Sequence, residues 1–325
     1  MPTTADSAAL VHAVQHPLYL TVGGQVVLPA LVAPGSYGFR IGAPVGPLRL
    51  HAAPFSPAAL GQSGDARRLG FAVTGLQVIT ETSSRELSVS LGALQDGFHP
   101  YEPGGWRWTD GDAGLPEALL HGIHDDALLV VRGFGRHGPN QDVSHQAAFL
   151  AGDSYPADEN VENGLLGALA TFMNDGVVRQ AAMLPPEHRG HHERNLAARV
   201  ARLEQAMAGR RGRAVLFGRS SGARVATLFA RQHDVAAVVC LGFPFHGPGR
   251  ADEPERYAHL GSLTTPTLII QGRSDPYGDA ETVRGCAMSP QIRVHMIDGG
   301  HEFNLSEAQW AALGRRVLLF LAEHG

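Results

Sequence analysis

Three residues in the second half of the chain have the types and order needed for acyl transfer. Gly218-Arg219-Ser220-Ser221-Gly222 fits the pattern G-x-S-x-G, with Ser220 at its centre. A serine hydroxyl attacks a carbonyl efficiently only when a base takes its proton and an acid orients that base. Asp275 in RSDPYGDA and His301 in GGHEF supply those groups, in the chain order serine, acid, histidine. Asp279 competes for the acid role. Asp275 is preferred because it lies nearer the end of the preceding apolar run, where Pro276 shapes the turn.

The adjacent serines have different prospects. A sharp turn between a strand and a helix holds its central residue in a strained conformation, and side chains two positions away on either side would collide. Glycine at 218 and 222 removes those side chains. Ser220 is therefore the expected nucleophile. Ser221 opens the helix, and its backbone N–H, helped by the partial positive charge of the helix N-terminus, is an expected oxyanion donor. A second donor is expected from the loop after an earlier strand, in AFLAGDSYPADEN, at Asp153 or Ser154.

Those groups need a scaffold with its reactive ends on one side. From about residue 145 the chain alternates strand-like and helix-like segments. QAAFLAGDS, VVRQAAML, RAVLFGRS, VAAVVCLGF, TPTLIIQGRS and QIRVHMID read as six strands. ENGLLGALATFMNDG, NLAARVARLEQAMAG, SGARVATLFARQ, GDAETVRGCA and SEAQWAALGRRVLLFLAEH read as helices. Continuous apolar strands alternating with helices predict a mostly parallel, doubly wound sheet of the α/β class. Ser220, Asp275 and His301 all fall at carboxyl ends of predicted strands, where such sheets carry their chemistry. Upstream, LYLTVGGQVVLPALV, YGFRIG, GPLRLHA, LGFAVTGLQVI and ALLVVRGFG are short strand-like runs between turns. They predict a β-rich, sandwich or jelly-roll-like module. The expected division is a tail over 1–16, the β-rich module over 17–138 and the α/β domain over 139–325.

Composition narrows the class. The 325 residues are 44 % apolar and 18 % charged, with a net charge of −5, an ordinary globular profile that argues against a nucleic-acid partner. No membrane span or signal peptide is recognised, so the expected compartment is the cytoplasm. Two cysteines are too few for a disulfide framework, and Cys240, inside an apolar run, is expected to be a buried thiol.

GRSSGARVA, CLGFPFHGPG, TPTLIIQGRSDPYG and GGHEF together resemble the α/β-hydrolase superfamily, most closely its compact dienelactone-hydrolase-like branch, over about 146–325. The resemblance implies an α/β-hydrolase fold with Ser220, Asp275 and His301 as nucleophile, acid and base. It implies no particular substrate, since the fold hosts many. One departure stands out: the family often has a His-Gly pair after the early strand, where this chain has Gly152-Asp153-Ser154. A carboxylate beside a developing oxyanion is unfavourable unless it points away. DARRLGFAVTGL and GFHPYEPGGWRWTDG loosely resemble β-rich modules of bacterial glycan-related and self-processing proteins.

Several residues are candidates for choosing a substrate. Trp106 and Trp108 offer flat faces that suit a sugar or acyl group, or else pack the module's interior. Phe243, Phe245 and His246 follow the strand after the nucleophile and would line an acyl or leaving-group pocket. Arg219 would favour an anionic substrate or make a structural ion pair, and Tyr155 lies in the oxyanion loop. PPEHRGHHERN clusters His188, His191 and His192 but lacks a helical zinc pair, so no metal and no cofactor are expected. The expected activity is hydrolysis of a carboxylic ester, with an acylated sugar or polysaccharide as one substrate class. An acyltransferase using the same trio, and a non-catalytic binding protein retaining the fold, are the alternatives.

Overall fold

A computed structural model of the chain describes residues 18–42, 46–90, 92–121, 123, 125–136, 146–153, 158–173, 176–183, 195–208, 214–250 and 252–324. The chain divides into two compact units. The first is Met1–Ser144 with Leu318–Glu323, and the second is His145–Val317. The expected tail and the expected boundary at 138/139 lie outside the described residues.

The described residues of the first unit form ten strands: β1 (Leu18–Val22), β2 (Gln25–Val27), β3 (Leu31–Ala33), β4 (Ser36–Ile41), β5 (Leu48–Ala52), β6 (Phe71–Ile79), β7 (Ser84–Leu87), β8 (Arg107–Trp108), β9 (Asp112–Leu115) and β10 (Ala127–Gly135). They form a four-stranded sheet, β2-β1-β5-β9, and a six-stranded one, β3-β4-β10-β6-β7 with β8 on β6. Every pairing is antiparallel. The β1–β2 hairpin turns through Gly23 and Gly24, both at positive φ, as a two-residue turn matched to strand twist requires. Leu18, Leu20 and Leu50 of one sheet and Phe39, Val73, Leu76 and Leu129 of the other meet in one buried cluster. The polar strands β7, β8 and β9 were not among the predicted runs.

The second unit contains β11 (Gln146–Leu150), β12 (Val177–Arg179), β13 (Ala214–Arg219), β14 (Ala237–Leu241), β15 (Thr267–Gly272) and β16 (Ile292–Ile297). They make one sheet in the order β12-β11-β13-β14-β15-β16, with every neighbour parallel. The helices are α1 (Glu159–Ala168), α2 (Ala170–Met173), α3 (Gln180–Met183), α4 (Leu196–Met207), α5 (Ser221–Ala230), α6 (Ala280–Gly285) and α7 (Glu307–His324). Central strands β13, β14 and β15 are buried throughout, which is why they read as unbroken apolar runs. Leu216, Val238, Cys240 and Ile269 of the sheet pack in one cluster with Val225, Ala226 and Phe229 of α5 and Leu203 of α4. Burial pushes the Cys240 thiol far up from its ordinary value.

Two predicted elements are corrected. VVRQAAML was expected as one strand, but only Val177–Arg179 is extended and Gln180–Met183 is helical. β12 is an edge strand paired with β11 alone, so a single ladder competes with a Gln-Ala-Ala-Met run of good helix formers. The helix expected over ENGLLGALATFMNDG is split at Leu169 into α1 and α2.

Candidate active site

β13 ends in the G-x-S-x-G turn, and α5 starts directly after it. Ser220 has φ 52 and ψ −121, a left-handed conformation that a side-chain-bearing residue rarely adopts. The flanking glycines make it possible. A Cβ on Gly218 would sit 2.5 Å from the Ala223 Cα, and one on Gly222 would sit 2.1 Å from the Leu150 carbonyl oxygen. The Ser220 N–H donates to the Leu241 carbonyl, which ties the turn to β14.

The loops after β15 and β16 bring the other two groups to it. His301 Nε2 lies 3.0 Å from Ser220 Oγ, and His301 Nδ1 lies 2.8 Å from Asp275 Oδ2 and 3.0 Å from Oδ1. Asp275 is 1 % exposed. Its carboxylate also accepts from the Tyr277 N–H at 2.8 Å and from Gln271 Nε2 at 3.0 Å. Gln271 is itself fully buried and bonds the backbone of Phe243 and Gly278, so one amide braces the acid and two loops. The Tyr277 ring lies 4.2 Å from the His301 ring. Asp279, the rival acid, caps α6 instead, accepting from the N–H groups of Glu281 and Thr282.

Among the described residues Arg219 is the largest fully buried side chain. Its Nη2 donates to the His301 carbonyl at 2.6 Å and lies 3.5 Å from Asp158 Oδ1, and its Nη1 lies 3.2 Å from His301 Nε2. The guanidinium carbon stands 5.4 Å over the Phe303 ring. Burial works against the Arg219 charge, and Asp158 and then Asp275 favour it. Arginine only donates, so Nε2 is the acceptor and Nδ1 carries the hydrogen towards Asp275. That is the tautomer a general base acting on Ser220 needs.

The remaining candidates separate. Phe243 and Phe245 are fully buried and packed on each other at 4.9 Å within the core, so they do not line an open acyl pocket. Arg219 is 1 % exposed and engaged with His301 and Asp158, the contacts of a structural ion pair. His246 is half-buried, with ring nitrogens 2.9 Å from the Gly247 carbonyl and 3.4 Å from Thr282 Oγ1. Trp106 and Trp108 belong to the first unit, each edge-on to Phe134, with Phe55 on Trp108. Ser154, Tyr155 and the cluster of His188, His191 and His192 lie outside the described residues. No trio of metal-ligating side chains occurs among the described residues, and no described helix is long and apolar enough to cross a membrane.

The Asp153 carboxylate is held by two neighbours. Its Oδ1 accepts from Ser221 Oγ at 2.6 Å, and Arg199 Nη1 lies 3.4 Å from it. Gly152 packs against Ser220: a Cβ there would lie 3.0 Å from the Ser220 Cβ.

Residues 173–313 match a family model described as an alpha/beta hydrolase domain. The second unit has an α/β-hydrolase fold. Several solved structures resemble it. A hydrolase of the alpha/beta superfamily from Xanthomonas campestris is 17 % identical, with 54 % of this chain and 98 % of that one covered and a TM-score of 0.41. The esterase domain of a Rhodothermus marinus protein is 14 % identical, with 57 % and 89 % covered and a TM-score of 0.42. Est1E from Butyrivibrio proteoclasticus is 15 % identical, with 56 % and 91 % covered and a TM-score of 0.41. No curated protein matches the chain. Two supports of the hydrolase domain's site, Gln271 and Arg199, were not singled out in the sequence. The signal for Arg199 was present: it falls four residues before Leu203 on the buried face of α4, where an amphipathic helix calls for an apolar residue.

Proposed function

We propose that the protein is a serine hydrolase that cleaves a carboxylic ester through an acyl-enzyme on Ser220. The observation that carries this reading is the unbroken chain of contacts from Ser220 Oγ through the His301 ring to the buried Asp275 carboxylate. Ser220 Oγ attacks the acyl carbonyl while its proton passes to His301 Nε2. Asp275 stabilises the imidazolium that forms. The tetrahedral oxyanion is held by the backbone N–H groups of Ser221 and Asp153. His301 then gives its proton to the departing alkoxide, and water activated by His301 releases the acid. The protein's own groups complete this cycle.

The test is hydrolysis of p-nitrophenyl esters from acetate to decanoate by wild type and Ser220→Ala, with fluorophosphonate labelling of both. Activity and labelling that vanish together in the variant support the reading, and the chain-length profile sizes the acyl site. A wild type with neither activity nor label points to the non-catalytic alternative. An ester product in the presence of added alcohol points to acyl transfer.

A further inference from the structure

Arg199 stands on α4, twenty-two residues before the elbow helix, yet its guanidinium reaches three elements of the site. Nη1 donates to Ser221 Oγ at 2.8 Å, and Nη2 donates to the Ala151 carbonyl at 2.5 Å and to Gln180 Oε1 at 2.8 Å. Nη1 also lies 3.4 Å from Asp153 Oδ1, which receives the Ser221 hydroxyl hydrogen at 2.6 Å. Its side chain is 5 % exposed. Arg199, Ser221 and Asp153 thus form a closed ring of charge-assisted bonds joining the end of β11 to the first turn of α5. Such bonds are stronger and more directional than neutral ones.

We propose that Arg199 is a positioning residue that sets the oxyanion hole; the inference rests on the hydrolase reading above. The two expected donors, the N–H groups of Ser221 and Asp153, belong to different elements. They converge on one oxygen only if the β11 loop and the start of α5 keep a fixed spacing. The guanidinium fixes it by holding a side chain of each. It also turns the Asp153 carboxylate towards itself and Ser221. That removes the objection to an acidic residue in this loop, because its charge is paired with a cation instead of facing a developing oxyanion. The second serine of the elbow therefore works through both of its ends: its N–H faces substrate, and its hydroxyl anchors the clamp.

The experiment compares wild type, Arg199→Met, Arg199→Lys and Ser221→Ala on p-nitrophenyl acetate, with folding checked by circular dichroism and melting. Loss of one oxyanion donor typically costs about 100- to 1,000-fold in kcat. Arg199→Met is expected to lose about that much, with KM within about threefold of wild type. The affinity for a trifluoromethyl ketone, whose hemiketal oxyanion occupies the same hole, should fall by a matching factor. Affinity for a planar product acid should not change. Arg199→Lys should recover part of the loss. Ser221→Ala should fall between wild type and Arg199→Met, because the Ala151 bond survives. A folded Arg199→Met with wild-type kcat overturns the proposal. So does a loss of kcat without loss of ketone affinity, which would mean only general loosening. If Arg199→Met does not fold, Arg199→Lys and Ser221→Ala decide, and unchanged kcat and ketone affinity in both overturn it. Failure of the hydrolase reading is separable, because it appears in the wild type as absent fluorophosphonate label and unchanged activity in Ser220→Ala.

Discussion

Asp275→Asn should lower kcat by roughly four orders of magnitude, and the structure says why the loss is large. When His301 takes the Ser220 proton, its ring becomes a cation between two charges. Asp275 Oδ2, 2.8 Å from Nδ1, stabilises it by about 6 kcal/mol at an effective dielectric of about 20. Arg219 Nη1, 3.2 Å from Nε2, opposes it by up to about 5 kcal/mol on the same scale. The two nearly cancel, so the imidazolium is tolerated only while the carboxylate is present. Asparagine keeps the shape, removes the attraction and leaves the repulsion. At about 1.4 kcal/mol per decade of rate, the lost attraction corresponds to about 10⁴-fold. The assay is kcat on p-nitrophenyl acetate, with Ser220→Ala as background. Asp279→Ala is the control. It removes the cap of α6, costs about 1 kcal/mol of stability, and should leave kcat within about threefold. A reversed pattern, with Asp275→Asn within tenfold of wild type or Asp279→Ala nearly inactive, would refute the assignment of the acid and the charge balance behind it.

Other predictions concern what holds the site in place. Gly222→Ala drives a Cβ into the Leu150 and Ala151 carbonyls and should cost about 1–3 kcal/mol or more, whereas Gly167→Ala, with open space at the exposed face of α1, should stabilise by up to about 1 kcal/mol; calorimetric melting of both checks the contrast. Gln271→Leu leaves the Phe243 N–H and the Gly278 carbonyl without their buried partner, so both melting temperature and kcat should fall. Burial lowers the pKa of His259 to about 4, against 6.5 when unfolded, so the unfolded chain binds the extra proton first. The stability contributed by this neutral histidine is present above pH 6.5 and is lost as pH falls towards 4, by about 3 kcal/mol in all. Denaturant melts of wild type and His259→Asn should converge over that window.

How much of this was legible follows from where each interaction is encoded. Ser220, Asp275 and His301 lie in short segments at strand ends, and each carries its own signal: paired glycines, a proline-shaped turn, a histidine behind two glycines. The inner parallel strands β11, β13, β14 and β15 were readable because burial on both faces demands unbroken apolar runs. β7, β8 and β9 were not, because SREL, RW and DAGL gain their order from neighbours rather than from any apolar pattern. The placement of Phe243 and Phe245 was open for the same reason: aromatic type suits a pocket or a core equally, and only packing decides. The clamp on Asp153 was invisible because its partner lies 46 residues away, on a helix whose pattern gives a reason to notice Arg199 but none to connect it with an oxyanion loop.

The order of the strands has one further consequence. β11 and β13 are neighbours, but the chain leaves them in opposite directions, from β11 to its outer neighbour β12 and from β13 to β14 on the other side. Connections that diverge from adjacent strands cannot fill the gap between their carboxyl ends, and they open a crevice there by winding alone. Ser220, after β13, and Asp153, after β11, stand on the two sides of that gap. Receptivity is thus a property of connectivity and reactivity a property of three side chains, so the two can be lost or gained separately. On the proposed reading, a descendant of this chain that discarded Ser220 would keep the gap between the strand ends, and a binding protein could arise from a hydrolase without any change of fold.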